Sequence, residues 1–231
     1  MSDAIAANPN DVDARYERAM KYATKGDFDR AIVDMDRAIR LDPGNAELYV
    51  NRGAMYYHKG EYDRAIEDYD EAVRLDPTDA TAYQNRGSIY GYRGDYDRAL
   101  SDCNQAIKLN PIFVMAYLSR AGIYEETGDF DNAISDYTHV VRMDKKCYTA
   151  YYRRGILHLE RGEYDMARID ETRAIKISPF SGLAYLHRSF AWEGLGRPDR
   201  NAADFEQAVK LDPHGVREYV SKHTVSREQG H

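Results

Sequence analysis

The chain has 231 residues, of which 39 are acidic and 32 are basic, and its formal net charge at pH 7 is −7. This acidic balance makes nucleic acid an unfavourable partner, because the phosphate backbone would repel it. The sequence predicts neither membrane insertion nor a signal peptide, since it has no long apolar run and no basic leader followed by an apolar stretch.

A step of 34 residues runs through the chain. Lys145 takes one place in a column that otherwise holds Pro9, Pro43, Pro77, Pro111, Pro179 and Pro213. Glycine keeps the same step at Gly26, Gly60, Gly94, Gly128, Gly162 and Gly196. A fixed period of this size indicates one supersecondary unit copied along the chain, and it moves the question of function from a catalytic pocket to a surface.

Each unit is predicted to contain two helices, as in residues 46–79. The first helix is indicated by residues at helical spacing on one face: Tyr49, Gly53 and Tyr56. The second is indicated by a stripe of apolar and small residues: Ala65, Ile66, Tyr69, Ala72 and Val73. Gly60 is expected to end the first helix in the left-handed conformation, and Pro77 to end the second. Gly53 is expected to lie against Ala65 and to let the two helices approach closely.

This combination of columns resembles the tetratricopeptide repeat (TPR), whose pattern of aromatic, small, Tyr, Ala and Pro positions also spans 34 residues. The resemblance covers six units: 12–45, 46–79, 80–113, 114–147, 148–181 and 182–215. It implies an all-α solenoid, a right-handed superhelix of six helix-turn-helix repeats forming a single array over residues 1–231. Such an array is held together by contacts between neighbouring repeats.

Two charged columns depart from the family pattern. Arginine stands in each unit at Arg18, Arg52, Arg86, Arg120, Arg154 and Arg188. Aspartate stands in each unit at Asp34, Asp68, Asp102, Asp136, Asp170 and Asp204. A ladder of arginines for phosphate or carboxylate ligands is one interpretation, but the equal number of aspartates favours Arg–Asp pairs at helix interfaces.

The two ends of the chain resemble incomplete units. Residues 4–11 resemble the tail of an earlier second helix, and residues 216–231 are predicted to form a capping helix and tail. Tyr219 falls in the Tyr column and Lys222 in the Arg column, which suggests that Asp204 reaches forward. We therefore expect cross-unit pairs: Asp34–Arg52, Asp68–Arg86, Asp102–Arg120, Asp136–Arg154 and Asp170–Arg188. Both a complete array and a segment of a longer one remain open.

Function is expected on the concave face, which the first helices line in this family. We call the predicted binding residues there the groove face: Asn51, Gln84, Asn85, Tyr92, Met115, Leu118, Glu125, Glu126, Tyr152, Arg153, Leu159, Leu183, Leu186 and His187. From Met115 onward this lining turns apolar and is edged by glutamates. It predicts a protein or peptide partner with hydrophobic anchors and basic flanks.

Other functions have weaker support in the sequence. Asn51 and Asn85 resemble part of the clamp with which some TPR proteins hold a C-terminal carboxylate, but the lysines of that clamp are absent and Ser119 takes the third Asn column. The chain has no phosphate loop and no His-Glu-x-x-His or Cys-x-x-Cys motif, so we expect no enzyme, no metal and no cofactor. Two cysteines, Cys103 and Cys147, are too few for a disulfide framework, and a reduced, cytoplasmic protein is expected.

We therefore interpret the chain as a protein-interaction scaffold or adaptor that binds a segment of its partner in the groove. A self-assembling structural repeat protein, which would form a homo-oligomer, is an alternative. A regulatory region of a larger protein is another.

Overall fold

The computed structural model of the protein describes residues 8–228, with side chains placed for residues 8–222. Within this range the chain forms thirteen helices and no strand: α1 (Val12–Ala23), α2 (Phe28–Leu41), α3 (Ala46–His58), α4 (Tyr62–Leu75), α5 (Ala80–Tyr92), α6 (Tyr96–Leu109), α7 (Val114–Glu126), α8 (Phe130–Met143), α9 (Tyr148–Glu160), α10 (Tyr164–Ile177), α11 (Gly182–Gly194), α12 (Pro198–Leu211) and α13 (Pro213–Glu228). The predicted fold class, an all-α solenoid of helix pairs, is confirmed. Residues 4–7 of the predicted earlier helix lie outside the described range.

Residues close to each helix end explain where the helices begin and end. Asp11 and Asp27 accept hydrogen bonds from backbone N–H groups in the first turns of α1 and α2, which satisfies otherwise unbonded donors. The glycine that ends each first helix is left-handed, with φ between 68° and 78° in all six copies. Glycine occupies this conformation at little cost because it has no Cβ. The predicted role of Gly60 is therefore confirmed.

The small residue of the first helix has a different neighbour from the one predicted. A Cβ added to Gly53 would lie 2.9 Å from the ring of Tyr69, and the nearest atoms all belong to that ring rather than to Ala65. The equivalent Gly155 lies against the carboxylate of Glu171. The small column thus makes room for the large side chain of the second helix, which is inserted between the two helices.

The described residues divide into two compact units, one ending at Ile123 and the other beginning at Tyr124, within α7. In the first unit, a core cluster around Met35, Tyr56 and Tyr69 spans α1 to α5. In the second unit, Leu186, Ala208 and Val216 join α11, α12 and α13. The single array with six repeat boundaries stays a prediction.

Five arginines of the column, Arg18, Arg52, Arg86, Arg154 and Arg188, each pair with the aspartate of their own repeat, so the predicted pairs between repeats are wrong. Arg52 donates from Nε and Nη2 to the two carboxylate oxygens of Asp68, at 2.9 and 2.6 Å. The same bidentate geometry joins Arg18–Asp34, Arg86–Asp102, Arg154–Asp170 and Arg188–Asp204. The planar guanidinium matches the carboxylate across the interface of one helix pair.

A different column links one pair to the next. The remaining nitrogen, Nη1 of Arg52, donates to Asp36 of the preceding second helix at 2.7 Å. Nη1 of Arg86 meets Asp70 in the same way, at 2.6 Å. Further along the chain the acceptors in this column are neutral: Asn104, Thr138 and Thr172. The arginine column therefore acts both within a helix pair and between consecutive pairs, and the sequence predicted only its partner residue type.

The last helix begins three residues before the position that the repeat predicts. In the other units, a non-helical linker of four residues separates the second helix from the next first helix, as at residues 42–45. In the last unit only Asp212 separates α12 from α13. Lys222 donates to Glu218 of its own helix at 2.6 Å. The expectation that Lys222 marks a forward reach of Asp204 is wrong, because both carboxylate oxygens of Asp204 accept hydrogen bonds from Arg188 of the same repeat.

Candidate first-helix binding surface

In the first unit, polar residues of the groove face tie the first helices to one another. Gln84 Nε2 donates to Ser88 Oγ at 2.8 Å and to Ser119 Oγ at 3.2 Å. The two serine hydroxyls lie 3.1 Å apart. The side-chain amide of Asn51 donates to the backbone carbonyl of Glu47 at 2.9 Å, and Tyr16 donates to the Glu47 carboxylate at 2.8 Å. Much of the predicted polar lining thus serves packing between α1, α3, α5 and α7.

A row of aromatic side chains follows one end of the helix pairs in the first unit. We call it the aromatic row: Phe28, Tyr57, His58, Tyr62 and Tyr92. The Phe28 and His58 rings stack at 5.2 Å, and the Tyr62 and Tyr92 rings lie 5.1 Å apart. Tyr92 is 74 % exposed, so the row offers one ring face to solvent. Because ring pairs of this kind are stabilised by contacts between their edges and faces, the row presents a fixed apolar edge.

In the second unit, the groove face is acidic. Arg153 Nη1 donates to Glu125 Oε2 at 3.2 Å, and burial raises the pKa of the Glu125 carboxyl. Glu126 and Glu160 are exposed. The only cation predicted for the groove face is therefore already engaged by a carboxylate, and two further carboxylates on the same first helices face solvent.

A buried acid lies below this surface. Glu171, on α10, has no exposed surface, and neither of its carboxylate oxygens has a hydrogen-bond partner among the described residues. The nearest imidazole nitrogen, Nδ1 of His187, lies 3.5 Å from Glu171 Oε1. Burial raises the pKa of Glu171 well above its usual range, Asp170 adds to this shift, and Arg188 opposes it. The equivalent positions in the four preceding repeats hold Met35, Tyr69, Cys103 and Tyr137, so an acid at this position is particular to the repeat at residues 148–181.

α13 lies over this acid. The ring of Tyr219 is 4.9 Å from that of His187 and 6.2 Å from that of Phe190. The Tyr152 ring contacts His187 from the preceding first helix at 5.2 Å. The end of the groove face in the second unit is thus covered by the protein's own last helix.

The predicted groove-face residues therefore fall into three groups. Four are exposed: Tyr92, Met115, Glu126 and Arg153. Seven are half-buried: Asn51, Asn85, Leu118, Glu125, Tyr152, Leu159 and Leu183. Three are buried and cannot contact a partner in this conformation: Gln84, Leu186 and His187. Among the described residues, the large apolar side chains exposed on first helices are Tyr57, Tyr92 and Met115, so two of the three precede the point at which the predicted lining turns apolar.

The predicted groove face includes Tyr92 but misses Tyr62, whose ring lies beside it, and Phe28. A signal for them was available, because the first residue of the second helix is aromatic at Phe28, Tyr62, Tyr96, Phe130 and Tyr164. The covering of Leu186 and His187 had no such signal. It follows from the early start of α13, which the repeat pattern does not predict.

Metal clusters, thiols and membrane-spanning helices are further features that would bear on function among the described residues. No group of three or more His, Cys, Asp or Glu side chains there could hold a metal ion. Cys103 is a buried thiol and Cys147 a half-buried one. No described helix is both long and apolar enough to cross a membrane. The cytoplasmic location stays a prediction.

Solved structures share this fold. YrrB, described as a TPR protein with an unusual peptide-binding site, is 18% identical, with 81% of this chain and 97% of that chain covered and a TM-score of 0.69. PilF of Pseudomonas aeruginosa is also 18% identical, with 91% and 97% covered and a TM-score of 0.80. A tetratricopeptide repeat protein from Parabacteroides merdae is 25% identical, with 87% and 79% covered and a TM-score of 0.69. A search of the curated proteins found no match.

Family models give the assignment at the sequence level. One model of the tetratricopeptide repeat matches residues 1–45, 16–80 and 124–182, and a second matches residues 80–113. Together with the solved structures, they support a repeat scaffold for protein interaction, of a type that is typically not catalytic. The chain belongs to the tetratricopeptide repeat family.

Proposed function

We propose that the protein binds segments of partner proteins along its first helices, and that the first unit offers apolar anchors and the second unit offers carboxylates for such contacts. One observation carries this proposal. On helices that pack as a repeat scaffold, the side chains of Tyr57, Tyr92 and Met115 remain exposed. The rings of Tyr57 and Tyr92 both lie beside that of Tyr62, and exposed apolar side chains that adjoin one another are typical of interaction surfaces. The similarity to YrrB, which has a peptide-binding site, agrees with this assignment.

The charge of the second unit selects the partner. Glu126 and Glu160 are exposed, and Arg153 already donates to Glu125. A basic segment would gain favourable contacts here, whereas an acidic segment would be repelled. Salt would weaken this attraction, because ions screen exposed charges over about 8–10 Å at ordinary ionic strength.

The partner is therefore a basic, amphipathic segment, helical or extended, with aromatic or aliphatic anchors. The anchors would meet the aromatic row and Met115, and lysines or arginines would meet the carboxylates. Leu186 and His187 take no part in this contact while α13 covers them.

Titration of a basic amphipathic peptide, with an acidic peptide of matched length as control, tests the proposal. Tyr92→Ser and Met115→Ser should each weaken binding of the basic peptide about fivefold or more, as expected for anchor residues. Ile112→Ser is the matched control, because Ile112 is 76% exposed but lies in the linker before α7. An equal loss in the control would show that general surface hydrophobicity, and not the first helices, drives binding.

The carboxylates have their own control. The double variant Glu126→Gln and Glu160→Gln should reduce the preference for the basic peptide, and the reduction should be largest at low salt. Glu67→Gln removes an exposed acid from a second helix and should leave the preference unchanged. Tighter binding of the acidic peptide by the unmodified protein would refute the proposed partner chemistry.

A further inference from the structure

The outer face of α12 is less covered than the same face of the other second helices. Phe205 is 39 % exposed, whereas the residues at the same place in the repeat, Met35, Tyr69, Cys103, Tyr137 and Glu171, are at most 3 % exposed. Val209 is 36 % exposed, whereas three of its five equivalents, Ile39, Val141 and Ile175, are at most 8 % exposed and the other two, Val73 and Ile107, are half-buried. The sequence of α12 therefore carries an apolar face suited to a following first helix, and α13 does not cover it fully.

The sequence between α12 and α13 repeats that of the other linkers. Residues 212–215 are Asp-Pro-His-Gly, and residues 42–45 and 76–79 are Asp-Pro-Gly-Asn and Asp-Pro-Thr-Asp. The structure leaves 42–45 and 76–79 non-helical, but it makes Pro213 the first residue of α13. After a linker of the usual length, the helix would begin at Val216.

In its observed position, α13 covers part of the groove face. Val216 is 2 % exposed and packs with Leu186 and Ala208, and the ring of Tyr219 lies over His187 and Phe190. Leu186 and His187 have no exposed surface as a result of this packing.

We propose that α13 has two docking positions and thereby controls access to the groove face of the second unit; the functional consequence rests on the function proposed above. The closed position is the one observed. In the open position, residues 213–215 form a linker, the helix begins at Val216, and it packs on α12 over Phe205 and Val209. Leu186, His187 and Phe190 are then uncovered.

The sequence of α13 fits the open position. With the usual linker, Tyr219 falls in the column of Tyr49 and Tyr185, and Lys222 falls in the arginine column. The acceptor for that column in the preceding second helix is Glu206, at the place held by Asp36 and Asp70. Lys222 and Glu206 are thus complementary charges at positions that meet in earlier pairs.

Gly215 lies in the first turn of α13 in the closed position and in the linker in the open position, so a substitution there can favour one position over the other. In the closed position its N–H donates to Asp212 Oδ1 at 2.8 Å, and a Cβ at this place would collide with the Asp212 carboxylate. At the same place in other linkers, Asn45 and Asp79 accept hydrogen bonds from the first turn of the next helix, at 3.2 and 2.7 Å. Asparagine at 215 should therefore disfavour the closed position and cap the helix in the open one.

The reactivity of single thiols can report the position of α13 in the full chain, with one probe on the groove face and one on α12. In a Cys147→Ser background, which keeps the buried Cys103, single probes are placed by Leu186→Cys and by Phe205→Cys. Adding Gly215→Asn should raise the reaction rate of the thiol at 186 with Ellman's reagent about tenfold or more, as expected for a population shift between two states. The same change should lower the rate at 205. Glu206→Lys, which repels Lys222 in the open position, should reverse both effects.

Two controls keep the result interpretable. Gly44→Asn alters a linker glycine whose Cβ would meet nothing closer than 3.9 Å, and it should change neither rate. Phe190→Cys gives a second probe on the covered side if Leu186→Cys fails to fold by circular dichroism. A rise at both 186 and 205 would mean that α13 only frays, and unchanged rates would mean that it has one position; either result overturns the proposal.

These measurements use no peptide, so they are independent of the proposed binding function. If the thiol rates change in opposite directions, Gly215→Asn should also tighten binding of the basic peptide, because more of the groove face is open. Opposite rate changes without any change in peptide affinity would leave the two docking positions standing and would refute the groove at this end of the molecule.

Discussion

Arg86 of the arginine column allows a test of how burial sets the contribution of an ion pair to stability, because it has two carboxylate partners. Arg86 donates from Nε and Nη2 to Asp102, at 2.8 and 2.7 Å, and from Nη1 to Asp70, at 2.6 Å. The Asp102 side chain is 8% exposed and that of Asp70 is 55% exposed. The same guanidinium therefore holds one buried and one solvated carboxylate, and the two can be removed separately.

Asp102→Ala should lower the free energy of unfolding by about 3 kcal/mol or more, because it leaves a largely buried guanidinium without its main partner. Asp70→Ala should lower it by less than about 1 kcal/mol, because water solvates an exposed ion pair well and weakens it. Arg86 should keep its proton in both variants, because an arginine guanidinium stays protonated in proteins even without a carboxylate partner.

Urea titration followed by circular dichroism measures both changes. The dependence of the unfolding free energy on urea should stay the same, so that the shift in midpoint reports stability alone. The double variant Arg86→Met with Asp102→Leu should recover most of the loss, because apolar side chains of similar size can replace a buried ion pair. A loss below about 0.5 kcal/mol for Asp102→Ala, or an equal loss for Asp70→Ala, would refute the reasoning from burial and would favour the arginine column as a ligand-binding feature.

Three further predictions concern the glycines, the buried acid and the charge of the surface. Gly94→Ala should lower the free energy of unfolding by about 1 kcal/mol, because φ is 77° at this residue. Gly122→Ala should raise the free energy of unfolding by up to about 1 kcal/mol, because Gly122 lies inside α7 with open space where a Cβ would be. Equal effects of the two variants in thermal unfolding would contradict this reasoning. Glu171→Gln should raise the free energy of unfolding by about 1–2 kcal/mol at pH 7 and by less near pH 4.5. Folding raises the pKa of this carboxyl, so the native state loses stability as the pH rises above the pKa that the carboxyl has in the unfolded chain. A variant whose stability depends on pH in the same way as that of the unmodified protein would argue against a buried neutral acid. The difference in affinity between a basic and an acidic peptide should decrease as the salt concentration rises from low to moderate. If calorimetric titration shows the same difference at both salt concentrations, Glu126 and Glu160 are excluded as its cause.

Much of the helix arrangement could be predicted from the sequence, because its causes are local. The left-handed glycines, the aspartate caps and the prolines each act within a few residues, and each signal is repeated in several units. The residue types of the Arg–Asp interaction were also predictable, since the two columns are equally filled. Their pairing was not, because both a partner in the same unit and a partner in the preceding one are compatible with a period of 34 residues. The structure shows that one guanidinium uses both neighbours.

The groove face was harder to predict than the fold. Helical periodicity places a residue on the first helix, but exposure depends on what the next helix covers. Gln84 is polar and buried because Ser88 and Ser119 satisfy its amide, and Leu186 is buried because α13 begins early. Tyr92 and Met115 are exposed, and their role in binding stays a prediction. Sequence periodicity carries no information about the start of a helix that runs through its own linker, so the burial of Leu186 could not be foreseen.

Two departures from the repeat pattern, Glu171 and the early start of α13, lie close together in the second unit, and both affect how firmly α13 is held. Glu171 replaces the Tyr or Met of earlier units, and its carboxylate is buried without a hydrogen-bond partner among the described residues. Such burial costs free energy that an apolar residue would not incur. Tyr219 packs on His187, the neighbour of this acid, so the closed position of α13 helps to keep the carboxyl away from water. Moving α13 onto Phe205 and Val209 would bury apolar surface and give water access to the acid. The residue that fits the repeat pattern least is therefore one that makes the observed packing of α13 easier to release.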